Sequence, residues 1–319
     1  MKPIGGYFEL ETSNGVEYHQ DAIRLNTGRH ALEYILRAKS YIKVYVPYYT
    51  CDVISEPIRR LDIEIEYYKI DKSFRPIFKF SKVKENEVFL YTNYYGICSK
   101  QVGEVISQSI NIIIDNAQSF FSTPIKRIDT FYSARKFFGV PDGAYLYTNK
   151  KLTNQFESED ATNRFEHLIK RVEKTPEEGY PAFKKNDSSF KDAKIKLMSK
   201  FSKKILKGID YESAIKKRKN NFQYLHKYLS EFNKLNINLE DEDVPMVYPF
   251  LKYNNGLREY LIRHKIYVPL YWPNVLENTP KISVEYNLSK YIFALPIDQR
   301  YNNEDMDYII KTIFCYEKF

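Results

Sequence analysis

Between residues 43 and 148 the chain repeats one pattern: a short, mostly apolar run, a stretch with other spacing, then another apolar run. Residues 43–47, 63–68, 87–92, 111–115, 129–133 and 143–148 read as strands, and 53–61 reads as a helix between the first two. Strands that alternate with helices need crossover connections, so the expected sheet is mostly parallel. Ile112-Ile113-Ile114 is apolar on both faces, as a central strand covered by helices should be. The pattern predicts an α/β fold whose central sheet is flanked by helices.

The character changes near residue 150. Residues 151–235 are rich in Lys and Glu and carry helical spacing, with Leu197, Phe201 and Ile205 on one face and Gly208 as a stop. A second helix is expected over about 211–232, with Ile215, Phe222, Leu225 and Leu229 inward, and a last one over about 303–314. The expected division is a large α/β domain over 1–208 and a smaller C-terminal α+β domain over 209–319. A chain of 319 residues needs no disulfide or metal staple. Its 21 Phe and 29 Tyr exclude wholesale disorder.

Three scattered cysteines, Cys51, Cys98 and Cys315, fit a reducing compartment, and neither they nor the five dispersed histidines have metal-ligand spacing. No metal centre is expected. The start, Met1-Lys2-Pro3-Ile4-Gly5-Gly6-Tyr7, lacks the apolar region of a signal peptide, and no apolar run reaches membrane-spanning length. These features predict a soluble, cytoplasmic protein without a membrane partner. The net charge of +8 comes from basic residues mostly mixed with acids. Its denser stretches, 194–207 and 216–219, fall at helical spacing and read as solvated helix faces, not a nucleic-acid surface.

Ligands of open α/β sheets bind at the carboxyl ends of the strands. Three segments there carry polar chemistry. Asn26-Thr27-Gly28-Arg29-His30 opens a helix whose free amides, with Arg29 beside them, suit a phosphate; His30 reads as a helix-surface residue. Asp115 ends the Ile112-Ile113-Ile114 strand, where it serves either as a cap for the next helix or as a carboxylate that meets a cationic ligand atom. In Ser133-Ala134-Arg135-Lys136-Phe137-Phe138, the lysine beside two phenylalanines is either a snorkelling surface residue or a desolvated amine, and a desolvated amine is a nucleophile. Ser133, three residues earlier, suits the same ligand's phosphate.

In this order and spacing the three segments resemble the fold-type I pyridoxal phosphate (PLP) enzymes, and more narrowly the nucleotide-sugar aminotransferases of DegT/DnrJ/StrS type. Pro47-Tyr48-Tyr49-Thr50 resembles that family's Pro-x-x-Thr segment, Asn93-Tyr94-Tyr95-Gly96 its aromatic-Gly strand end, and residues 257–269 and 295–301 its small-domain signature. The resemblance implies that Lys136 holds PLP as a Schiff base and shuttles the proton. It implies that Asp115 pairs with the pyridine nitrogen, Gln118 lies near the ring's hydroxyl side, and Gly28, Arg29 and Ser133 hold the phosphate. It further implies a homodimer and a ping-pong transfer of nitrogen from an amino donor, usually L-glutamate, to a nucleotide-linked keto-sugar used in surface-polysaccharide or other glycan synthesis. A dehydratase branch of the family has histidine in place of this lysine, so Lys136 favours amino transfer.

The sequence departs from the family at several points. Phe131 stands where the family has a serine, with Ser133 as its substitute, and Cys51 stands where a ring stacks on the cofactor. Tyr49, Tyr95 or the Cys51 sulfur is expected to cover the ring instead. The Asn-x-Arg segment that reaches a neighbouring subunit has no counterpart in 160–195. These departures keep open an alternative, a catalytically degenerate scaffold or regulatory module. Trp272 is read either as a lining of the sugar pocket or as a small-domain core anchor. Gly5-Gly6-Tyr7-Phe8 is read either as a cover for the site or as a loose terminus.

Overall fold

The computed structural model describes residues 4–108 and 110–317; the expectation about Met1, Lys2 and Pro3 lies outside them. Among the described residues an eight-stranded sheet runs in the order β1-β8-β7-β6-β5-β2-β3-β4. The strands are β1 (Ile23–Leu25), β2 (Lys43–Pro47), β3 (Glu64–Ile70), β4 (Pro76–Ile77), β5 (Glu87–Thr92), β6 (Ile112–Asn116), β7 (Asp129–Ser133) and β8 (Ala144–Tyr147). The central strands β3, β2, β5, β6 and β7 pair in parallel, while β1, β4 and β8 join antiparallel. This is the mostly parallel sheet that the apolar runs predict.

Successive side chains of these strands point to opposite faces, as a period of two requires. Val44, Val46, Val88, Leu90, Ile113, Phe131 and Leu146 pack on one face against α1 (Gly28–Lys39) and α2 (Ser55–Arg60). Tyr45, Phe89, Tyr91, Ile112, Ile114, Tyr132 and Tyr145 pack on the other. Both faces are dry, which is why the runs are apolar throughout. Helix α1 starts where the Thr27 side chain accepts from the His30 amide, and it ends at Ser40 in the left-handed region, φ 56°. Arg37 and Lys39 sit in its last turn, where cations complement the helix dipole.

The remaining helices are α3 (Ser99–Ile106), α4 (Glu166–Glu173), α5 (Pro176–Ser188), α6 (Lys200–Lys207), α7 (Tyr211–Leu229), α8 (Leu257–Arg263), α9 (Pro273–Asn278), α10 (Val284–Tyr291) and α11 (Asn303–Glu317). A second sheet of two antiparallel strands, β9 (Val247–Leu251) and β10 (Ile292–Pro296), packs with α7, α8 and α11. The Tyr45 face of the large sheet continues into this layer as one apolar core that includes Phe222, Leu225, Phe250 and Leu295.

Several expectations are corrected. Helical structure over 151–235 begins only at Glu166, and Leu197 is not on α6 but in an extended segment bridged to Leu25 and Ser158. His30 is not a surface residue: it is fully buried, with Nδ1 2.7 Å from Asn26 Oδ1 and Nε2 2.9 Å from the Ala193 carbonyl. Arg218, inside the basic run at 216–219, is 1% exposed and does not belong to a solvated face. Trp272 is a core anchor; it is 7% exposed and packs against Tyr49 at 5.0 Å. Tyr7 and Phe8 stand free in solvent and cover nothing.

Candidate functional site

From β2 the chain crosses to β3 on one side and then to β5 on the other, which opens a crevice at the carboxyl ends of β2 and β5. Cys51 follows β2, Tyr95 follows β5, Asp115 lies near the end of β6, and Lys136 closes the turn after β7. The order of strands thus brings together residues far apart in sequence.

Asp115 is 5% exposed. Its Oδ1 accepts from the Ala117 amide at 2.8 Å, while Oδ2 meets no donor among the described residues. Burial pushes this carboxyl up, against the pull of the Lys136 ammonium and the Ala117 amide. Lys136 itself is exposed and has no hydrogen-bond or ion-pair partner among the described residues. The expected desolvation by its neighbours does not occur. Phe137 and Phe138 turn into the core against Phe120 and Phe121, and leave the amine open.

Gln118 is 1% exposed, and its Oε1 accepts from the Tyr95 amide at 2.8 Å. Its Nε2 is buried and has no partner. An orphaned amide donor costs about 1–3 kcal/mol unless a ligand atom meets it. Tyr95 is held in the left-handed region at φ 56°, followed by Gly96 at φ 70°. A Cβ on Gly96 would lie 2.6 Å from the Val244 carbonyl oxygen and 3.0 Å from that of Gln118, so only glycine fits there.

At the head of α1, the His30 and Ala31 amides are taken by Thr27, and those of Gly28 and Arg29 meet no acceptor among the described residues. The Arg29 side chain is committed elsewhere: it is buried and its Nη1 lies 2.5 Å from Glu56 Oε2. The free donors at this helix start are thus the two backbone amides. Phe131 packs 3.6 Å from where a Gly28 Cβ would be. Ser133, two residues on, shares that face of β7, so it stands on the side of the helix start.

Of the groups expected over a cofactor ring, Tyr49 and Tyr95 are wholly enclosed, their hydroxyls bonded to each other at 2.5 Å. Neither ring lines the crevice. Cys51 does: it feels the charges of Lys136, Arg29 and Asp115, and burial pushes its thiol up. Tyr271, which the sequence did not single out, lies beside Cys51, and burial pushes its hydroxyl up to about 12. Next to Cys51 a cavity of about 270 Å³ opens among Tyr48, Thr50, Arg59, Asn274 and Asn278. Asn274 donates to the Thr50 carbonyl at 3.0 Å and so fixes α9 against the end of β2.

No family model matches the sequence, and no curated protein matches it. Solved structures do. A putative sugar aminotransferase from Streptococcus pneumoniae, in its PLP form, aligns with TM-score 0.66 at 17% identity over 92% of this chain and 87% of that one. A DegT/DnrJ/EryC1/StrS aminotransferase from Brucella abortus aligns with TM-score 0.62 at 15% identity over 92% and 85%. The E. coli GDP-4-keto-6-deoxy-D-mannose-3-dehydratase with bound hydrated PLP aligns with TM-score 0.62 at 14% identity over 91% and 87%. The chain has the fold of these proteins, from end to end of the aligned range.

Proposed function

We propose that the chain is a PLP-dependent aminotransferase of the DegT/DnrJ/EryC1/StrS type, acting on a sugar substrate. The observation that carries this reading is the pairing of a buried carboxyl, whose Oδ2 has no donor, with an unpartnered lysine at the same crevice. The residues present fit the cofactor. Asp115 Oδ2 suits a protonated ring nitrogen, the orphaned Gln118 Nε2 suits the ring hydroxyl, and the Gly28 and Arg29 amides with Ser133 suit the phosphate. Cys51, which feels the charges of Lys136 and Asp115, is the proposed cover for one side of the ring, since Tyr49 is enclosed.

When bound, PLP supplies an electron sink for the carbon that bears the donor's amino group. The chain's own part is to hold and to move protons. Asp115, kept ionised by a cationic partner, holds a proton on the ring nitrogen through a hydrogen bond of the charged kind. Lys136 would hold the cofactor through its Nζ, and the same amine would carry the proton at the donor carbon. Its freedom from any ion pair lets it serve both ends. Gln118 would hold the ring hydroxyl and the helix start would hold the phosphate.

The finer reading takes L-glutamate as the donor and a nucleotide-linked keto-sugar as the acceptor, in glycan synthesis in the cytoplasm, with the protein a homodimer. The cavity beside Cys51, rimmed by amide, hydroxyl and guanidinium groups, supports a polyhydroxylated acceptor. The sugar chemistry of the aligned enzymes supports the same class. The test is the visible spectrum of the protein with PLP, before and after L-glutamate, followed by borohydride trapping and peptide mapping. A band that bleaches with glutamate and a label on Lys136 are expected. Lys136→Ala should lose both yet stay folded, since the side chain is exposed and the change removes only its ammonium's pull on buried groups such as Asp115. A band that survives in Lys136→Ala overturns the assignment, and a band indifferent to every amino donor returns the scaffold alternative.

A further inference from the structure

The turn that carries Lys136 is held from two directions. On the sheet side, the Ala134 amide donates to Gly143 at 3.1 Å and the Ala134 carbonyl accepts from Phe137 and Phe138 at 3.0 and 2.9 Å. On the other side, the carbonyl of Phe137, the residue directly after Lys136, accepts from Gln299 Nε2 at 2.9 Å and from Arg218 Nη2 at 3.4 Å. Arg218 Nε donates to Gln299 Oε1 at 3.0 Å, so the two side chains grip that carbonyl as a unit. The guanidinium also lies over the Phe137 ring, 4.6 Å from its centre.

Such a guanidinium is an unusual thing to bury. It is 1% exposed, and no carboxylate pairs with it among the described residues. Asp298, whose charge it feels, is bonded to Arg300 at 2.7 Å. Desolvating a charge without a partner costs several kcal/mol, and neutral carbonyls offset only part of that. An apolar side chain would fill the space at lower cost, so the arrangement calls for a reason other than stability.

Its other contacts supply one. Arg218 Nη1 donates to the Met246 carbonyl at 3.0 Å, and the Met246 amide donates to the Tyr95 carbonyl at 2.7 Å. The Tyr95 amide in turn holds Gln118 Oε1. One hydrogen-bonded frame thus runs from the Phe137 carbonyl, one residue after Lys136, through Arg218 and the lead into β9, to Gln118. The amine and the amide that meet the cofactor at different points are braced by the same guanidinium, presented from α7.

We propose that Arg218 and Gln299 are positioning residues that set the direction in which Lys136 presents its amine. The inference rests on the reading of Lys136 as the cofactor lysine. It is tested on the full chain with Gln299→Ala, which removes one donor, and with Arg218→Lys, which keeps the charge and loses the fork. PLP is added, the adducts are trapped with borohydride, and the labelling rate at Lys136 is expressed against that at exposed Lys84 in the same sample. Trace acetylation with acetic anhydride gives the same ratio without any cofactor, and thermal unfolding gives stability.

In folded Gln299→Ala the Lys136-to-Lys84 ratio with PLP should fall about tenfold or more, because misplacing a reacting group by a fraction of an ångström to an ångström has effects of that order. Arg218→Lys should lose the ratio in the same way, and its acetylation profile with pH should shift. Unchanged ratios for both reagents in folded Gln299→Ala overturn the proposal, whatever happens to the melting temperature. If wild-type Lys136 takes no PLP at all, the cofactor reading fails separately. The acetylation ratio then decides the positioning on its own: a change supports it and constancy overturns it.

Discussion

Replacing Asp115 by Asn should make the chain without cofactor more stable and its cofactor binding weaker. Asp115 is 5% exposed, and burial holds its carboxyl above the ordinary range despite the Lys136 ammonium and the Ala117 amide. A carboxyl raised on folding favours the protonated form, so its contribution to stability is present at low pH and is lost as pH rises through the folded value. At pH 7 the ionised group is therefore a liability to the bare fold. Asparagine has nearly the same shape, retains an oxygen for the Ala117 amide, and carries no charge to desolvate. The melting temperature without PLP should rise in Asp115→Asn at pH 7, and the gain should vanish toward pH 3. Cofactor binding moves the other way. A hydrogen bond to a charged partner is worth about 1.5–3 kcal/mol, so the Kd for PLP should rise about 10- to 150-fold. Thermal unfolding with and without PLP, plus titration of the visible band, reads both effects. A variant that is less stable without PLP, or that binds PLP as tightly as wild type, refutes the argument.

Other expectations rest on the same geometry. His19 and His30 are fully enclosed, and burial pushes each down to about 4 from an ordinary 6.5. The unfolded chain takes up protons that the folded one refuses, so stability is full above about pH 6.5 and falls as pH drops toward 4. Each should lose about 2 kcal/mol between pH 7 and pH 5 in urea unfolding, and His19→Gln should remove its share of that slope; an unchanged slope counts against it. Gly96→Ala meets a left-handed backbone and a carbonyl oxygen at 2.6 Å, and should cost about 2 kcal/mol or more. A melting temperature within a degree of wild type would show that the 244–246 segment yields freely.

The central strands were legible because they are buried on both faces, which leaves uninterrupted apolar runs such as Ile112-Ile113-Ile114. The short β1, three residues long, left no such trace. Strands β9 and β10 carry Pro249 and Pro296, which disguise them as turns. Asp115 and Lys136 stood out by their places after expected strands, and Gln118 only through the family resemblance, but orientation was not legible. Tyr49 and Cys51 are two residues apart, yet the first is sealed in the core and the second faces the crevice. Arg218 looked like one more solvated base in a run of four, since nothing local tells a buried guanidinium from its neighbours. His30 was misjudged for the same reason: its partners Asn26 and Ala193 include one 163 residues away.

The sheet's two margins bear on how copies of the chain meet. At one margin β4 is only two residues and begins with Pro76, which has no amide hydrogen to offer. At the other, β1 is closed off where the Met198 amide donates to the Arg24 carbonyl and Leu197 bridges Leu25. Neither rim presents a long row of free backbone donors and acceptors, the template on which foreign strands add and fibrils grow. Association that prolongs the sheet is thus disfavoured from both sides, and contacts between copies are left to side-chain surfaces, where registry is set by shape and charge.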